Sequence, residues 1–186
     1  MKQLLVLASM LAGLLPGAAL AADDPLFKAM SMLAMGTGMP DVLPPVVQDG
    51  NYVDIRESGV TSFGDVLSPG PTKCSIIHTS ATQDRGDWVK MSVKTYDFSR
   101  ISGVRYLGPG DDFEKAPSRA ADDQTVDTIM LDGPAWSCQR VVHLDPATPH
   151  FGQYCDNSWT ITVVGNDDRA SARGAIEEIA AACFAK

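Results

Sequence analysis

The sequence predicts an α+β fold: a curled antiparallel sheet, a meander of about five to six strands, packed by a C-terminal helix. Three features of the chain predict it. Apolar-rich segments of strand length follow one another from Cys74 to Val164 at hairpin spacing, with no helical pattern between them. Ala172, Ala175, Ile176, Ile179 and Cys183 then repeat at helical spacing, with Glu177 and Glu178 on the opposite face. Finally, the chain of 186 residues is long enough to bury about 70% of its unfolded surface in one core.

Residues 1–21 read as a secretory signal peptide. Lys2 supplies the positive n-region and Leu4 to Leu15 an apolar run. Pro16 and Gly17 break that run before Ala19-Leu20-Ala21, a small-x-small site cut ahead of Ala22. The run is shorter than the roughly 20 apolar residues of a membrane span, and no later stretch approaches that length, so membrane insertion is not expected. No cysteine follows the cleavage site, so neither is a lipid anchor. The expected location is the periplasm or the outside of the cell.

Cleavage removes Lys2 and takes the net charge from −8 to −9. The remaining basic residues are scattered singly, which argues against nucleic acid and anionic membrane surfaces, since phosphate arrays need clustered Lys and Arg. Solubility, or a cationic partner, is the physical reading of the charge.

Ahead of the sheet, Asp23 and Asp24 before Pro25 mark a helix start, and Leu26, Met30 and Leu33 share its face until Gly36 ends it. From Gly36 to Thr72 the density of glycine and proline predicts an irregular arm, with a short strand at Tyr52 to Ile55. The expected organisation is therefore a helix and arm over 22–72 and a single α+β domain over 73–186. Within that domain Cys74 to His78 is a strand. The clearest strand is Trp88 to Phe98, where Val89, Met91 and Val93 alternate with Lys90, Ser92 and Lys94 and the polar set is expected to face water. Ile101 to Leu107 continues it past a bend at Ser102-Gly103. Gly108 to Asp123 is an acidic loop. Thr125 to Leu131, Gln139 to Leu144 and Trp159 to Val164 complete the strands, and Asp167 or Asp168 caps the last helix.

All four cysteines lie beyond the signal segment, and an even count in an exported chain points to two disulfides. The expected pairs are Cys138 with Cys155, closing a short loop, and Cys74 with Cys183, tying the sheet to the last helix. No C-x-x-C pair supports a redox motif or a zinc ribbon.

Candidate chemistry is sparse. Met30, Met32, Met35 and Met39 place four of the eight methionines within ten residues. Thioethers are soft ligands that survive oxidation, so Met32, Met35 and Met39 are candidate copper(I) ligands; adaptable packing is the plainer account. His143 and His150, with Asp145 and Ser137 or Ser158, supply the residue types of a hydrolase, but no G-x-S-x-G elbow accompanies them. His78 is the third histidine.

Asp111, Asp112 and Glu114, with Asp122, Asp123 and Asp127 beyond, carry oxygen ligands suited to calcium, at a spacing unlike an EF-hand. Arg85-Gly86-Asp87 spells an adhesion tripeptide, although these residues are simply good turn formers. Trp136 and Trp159 are core residues or the walls of a ligand groove. Together these features favour an exported, soluble, non-enzymatic module that binds a protein partner or small ligand and needs no cofactor. A methionine-based copper(I) carrier and a small secreted hydrolase are the alternatives.

Overall fold

The computed structural model describes residues 24–35, 46–48, 50–58, 60–144 and 150–184. Residues 1–21, read above as a signal peptide, lie outside the described residues. Helix α1 (Pro25–Ala34) opens where expected: the Asp24 carboxylate accepts from the Leu26 and Phe27 amides at 2.8 and 3.3 Å, and Pro25 fills the first turn. Its surroundings are more enclosed than one amphipathic stripe implies. Phe27, Met30, Leu33 and Ser31 are each fully buried.

Among the described residues eight antiparallel strands follow: β1 (Val46–Gln48), β2 (Asn51–Ser58), β3 (Thr61–Pro69), β4 (Ser75–Asp84), β5 (Asp87–Asp97), β6 (Gly103–Leu107), β7 (Thr128–His143) and β8 (His150–Thr162). Helix α2 (Asn166–Cys183) ends the described chain. The order across the sheet is β1-β2-β3-β4-β5-β7-β6, with β8 on the other edge of β7. The α+β class is as the sequence predicts.

The segment read as an irregular arm is different. Its residues from Val46 to Pro69 form β1, β2 and β3, paired in one continuous sheet with β4, so sheet pairing runs across the boundary expected at residue 72. The physical reason lies in where the breakers fall. Gly50 turns at φ 78° between β1 and β2, Gly59 falls between β2 and β3, and Gly70 follows β3. Such punctuation at strand-length intervals marks hairpin turns.

Two further expectations are corrected. The strands expected at 125–131 and 139–144 are, over residues 128–131 and 139–143, parts of one long strand, β7, interrupted by a register shift between Asp132 and Ser137. Ile101 to Leu107 does not extend β5: a 3₁₀ turn at Phe98–Arg100 redirects the chain, and β6 pairs with the first half of β7 while β5 pairs with the second. At the shift, a Cβ on Gly133 would lie 2.2 Å from the Arg100 carbonyl oxygen, so only glycine lets these two backbones approach. Strand β8 starts earlier than expected, at His150. The last helix is preceded by Gly165, while Asp168 Oδ2 accepts from the Val164 amide at 3.0 Å.

The core gathers Leu67, Ile76, Tyr96, Phe98 and Trp136 from the sheet with Phe27 and Leu33 of α1 and Ile176 and Ile179 of α2. Both expected cysteine pairs stand at disulfide distance, Cys74–Cys183 with Cα atoms 5.5 Å apart and Cys138–Cys155 at 4.0 Å. The Tyr96 hydroxyl donates to the Ala34 carbonyl at 3.0 Å, fastening the end of α1 to β5.

Candidate functional site

Strand β5 decides which residues look inward. Tyr96 and Phe98 are 1% and 0% exposed, and period two then carries Lys94 and Ser92 to the same inner face, 7% and 6% exposed. This reverses the expected phase, in which Val89, Met91 and Val93 faced the core. A buried aromatic removes about 150–250 Å² from water, so two of them at one end of the strand outweigh the smaller apolar set.

Residues paired across antiparallel strands share a face. His78 of β4, Lys94 of β5 and Gln139 of β7 therefore form one inward rung, and Asp65, Ser80 and Ser92 the next. Their polar groups satisfy one another. His78 Nε2 is 2.8 Å from Asp65 Oδ1, and the Ser80 and Ser92 hydroxyl oxygens are 2.6 Å apart.

Lys94 is the most unusual member. Its Nζ lies 3.8 Å from the centroid of the Trp159 ring, 5.0 Å from that of Tyr96, and 3.7 Å from Asp156 Oδ2. Asp156 and Trp159 are three positions apart, which an undistorted strand would send to opposite faces. The register shift opposite them in β7 lets both reach Lys94. Burial pushes the Lys94 ammonium below the ordinary lysine range, with the Asp156 carboxylate acting in the other direction. Burial, and then the Asp156 charge, push the Tyr96 phenol up. Chemically this is a desolvated cation held against π faces, able to receive a carboxylate or to give up its proton.

The opposite, outer face of the same strands is apolar. Ile55, Ala81, Met91, Val142 and Phe151 form one rung across β2, β4, β5, β7 and β8. Val53, Val66 and Val93 stand in the next, where Arg140 supplies the one charge among the described residues of the two rungs. Both helices join the core on the inner face, leaving Ile55 47% and Phe151 62% exposed. Ala81, Met91 and Val142 between them are half-buried and Val53 is buried, so the apolar face is open chiefly at its two ends.

The residues proposed for hydrolysis are not brought together. Ser137 is fully buried, its hydroxyl 3.4 Å from Asp156 Oδ2. His143 lies six residues further along β7, about 20 Å at roughly 3.4 Å per residue. Ser158 pairs with Asp132 at the other half of the strand, and Asp145 lies outside the described residues. Of the methionines, Met32 is 6% exposed within the core and Met35 packs against it, while Met39 lies outside the described residues.

The acidic loop is occupied by its own partners. Arg119 clamps both oxygens of Asp111, at 2.8 and 3.1 Å, and Thr125 bonds Asp123 through its amide and hydroxyl. The guanidinium of Arg119 holds the Asp111 carboxyl below the usual range, and bonds from Thr125 do the same for Asp123. Asp127 accepts from the Thr128 hydroxyl at 3.0 Å. No group of three or more His, Cys, Asp or Glu among the described residues is arranged to hold a metal. Beside the loop, a cavity of about 300 Å³ is lined by Asp122, Asp123, Asp167 and Arg173. Arg85 and Gly86, at φ 49° and 93°, turn the tight β4–β5 hairpin.

Trp136 is fully buried, and Trp136 and Trp159 both pack on Tyr96, at centroid distances of 5.8 and 6.4 Å. Sequence reasoning passed over Lys94 and the outer face. The available signal was Tyr96 and Phe98, which continue the polar phase of β5. Compared with protein-family profiles, curated proteins and solved structures, the chain matches none.

Proposed function

We propose that this protein is an exported, non-enzymatic binding module that docks a protein partner on the outer face of its sheet. One observation carries the reading: the apolar rung from Ile55 to Phe151 faces outward while charged and hydroxyl groups face inward. Two disulfide-distance pairs fit an oxidising compartment, and no described helix is long and apolar enough to cross a membrane. The chemistry of the partner follows from the surface. An apolar centre would cover the rung, a carboxylate would meet Arg140, and a basic surround would complement a chain of net charge −8.

The experiment compares the oxidised wild-type chain with an Ile55→Lys, Phe151→Lys variant in capture from an envelope extract. A partner of that description, retained by the wild type and lost by a variant with the same melting temperature, supports the proposal. Equal capture by both chains, or none by either, overturns it.

A second reading places a small anionic ligand at Lys94. It is favoured by the position of Asp156, whose side chain is 37% exposed and so opens the Lys94 environment to solvent on one side. Chemical-shift titration with simple carboxylates tests it: saturable shifts at Lys94 and Trp159 support it, and their absence removes it.

A further inference from the structure

His143 and His150 face each other directly across β7 and β8, with ring centroids 6.1 Å apart and planes inclined by 41°. Both are exposed, so each ring can turn about its side-chain bonds without disturbing the core. Their backbones are better fixed. The Cys138–Cys155 pair joins the same two strands further along, and Tyr154 donates to Gln139 between the disulfide and the histidines. Two imidazoles held opposite one another on cross-linked strands form a preorganised chelate.

We infer that His143 and His150 bind one divalent transition-metal ion between them, separately from partner docking on the outer face. Imidazole nitrogen is a borderline ligand that suits copper(II), nickel(II) and zinc(II), at metal–nitrogen distances of about 2.0–2.1 Å for zinc. Such bonds draw the two rings slightly closer than they stand. Two protein ligands leave the remaining coordination positions to water, so the site is open and exchangeable. Lys90 of β5 pairs with His143 and shares its face. Its cation opposes the incoming charge, although it is exposed and can turn into solvent. That opposition acts alike on every divalent ion, so the preference follows intrinsic affinity for nitrogen, which is greatest for copper(II). This chemistry is distinct from thioether binding of copper(I), since the ligands are nitrogen and the methionine segment takes no part.

The test titrates the oxidised full chain with copper(II) alone, followed by calorimetry and by electron paramagnetic resonance of the one-to-one mixture. The expected result is one ion per chain with hyperfine coupling to two imidazole nitrogens. His143→Ala and His150→Ala should each weaken binding by about tenfold or more, because either change destroys the chelate. His78→Gln should leave it unchanged. Both histidines being exposed, the variants should melt with the metal-free wild type. Wild-type affinity in both alanine variants, one ion shared by two chains, or no binding at millimolar copper(II) would each overturn the inference.

Discussion

The ammonium of Lys94 stands 3.8 Å from the centre of the Trp159 ring, on the inner face of the sheet. Removing a lysine from water costs several kcal/mol, and one half-solvated carboxylate with two π faces offsets only part of it. Lys94→Met removes that cost but leaves Asp156 without its cation, and because the Asp156 side chain is 37% exposed, stability should stay within about 1 kcal/mol of the wild type. The pH dependence has a definite sign. Because the folded state lowers the Lys94 pKa, the unfolded chain binds more protons between the two values. Stability from this group is present above the ordinary lysine pKa and is lost as pH falls through the folded one. Urea midpoints from pH 7 to pH 10 check both points: the wild type should show this rising contribution and Lys94→Met should lack it.

Tyr96 acts in the opposite sense. Its raised pKa makes its contribution fully present below the ordinary tyrosine value and lost as pH climbs above it. Tyr96→Phe should remove that alkaline loss. It should also cost about 1 kcal/mol at neutral pH, since the buried Ala34 carbonyl loses its donor. Hydrogen exchange should show the penalty as faster opening of α1.

The two cysteine pairs close loops of very different length, with sequence separations of 109 and 17. In the chain-entropy description these contribute about 5 and about 3 kcal/mol. Serine replacement of Cys74 and Cys183 should lower the guanidinium midpoint more than replacement of Cys138 and Cys155. Equal shifts would show that the cross-link on α2 does not act mainly through the unfolded chain.

Gly133→Ala should destabilise the fold by about 1–3 kcal/mol, because its Cβ must displace the Arg100 carbonyl from a contact of 2.2 Å. Thermal melts measure the cost. Loss of the Gly103–Leu107 pairing with β7 in amide exchange would locate it.

The fold class, both helices and both cysteine pairings were legible in the sequence because each rests on a local or countable signal. Asp24 and Pro25 announce α1 by capping chemistry, and Cys183 falls on the buried face of α2 by periodicity alone. The strands from Val46 to Pro69 are obscured in the sequence because glycine and proline are dense there, and only their spacing at strand-length intervals distinguishes turns from an irregular arm. The faces of β5 were inverted because Val89, Met91 and Val93 make a cleaner alternation than Tyr96 and Phe98, yet only the latter pair meets the helices. Which side of a sheet lies under a helix is decided by distant residues, and strand periodicity carries no sign. The Lys94 environment depends on Asp156 and Trp159 meeting across a distorted strand pair, which no spacing rule anticipates.

Strand β7 borders β5 at one end and β6 at the other, and the change between them falls within the residues from Asp132 to Ser137. The helix-packed and polar-lined parts of the sheet therefore share a single backbone axis. The irregularity thus lets one strand serve two differently lined halves of the sheet without a loop between them.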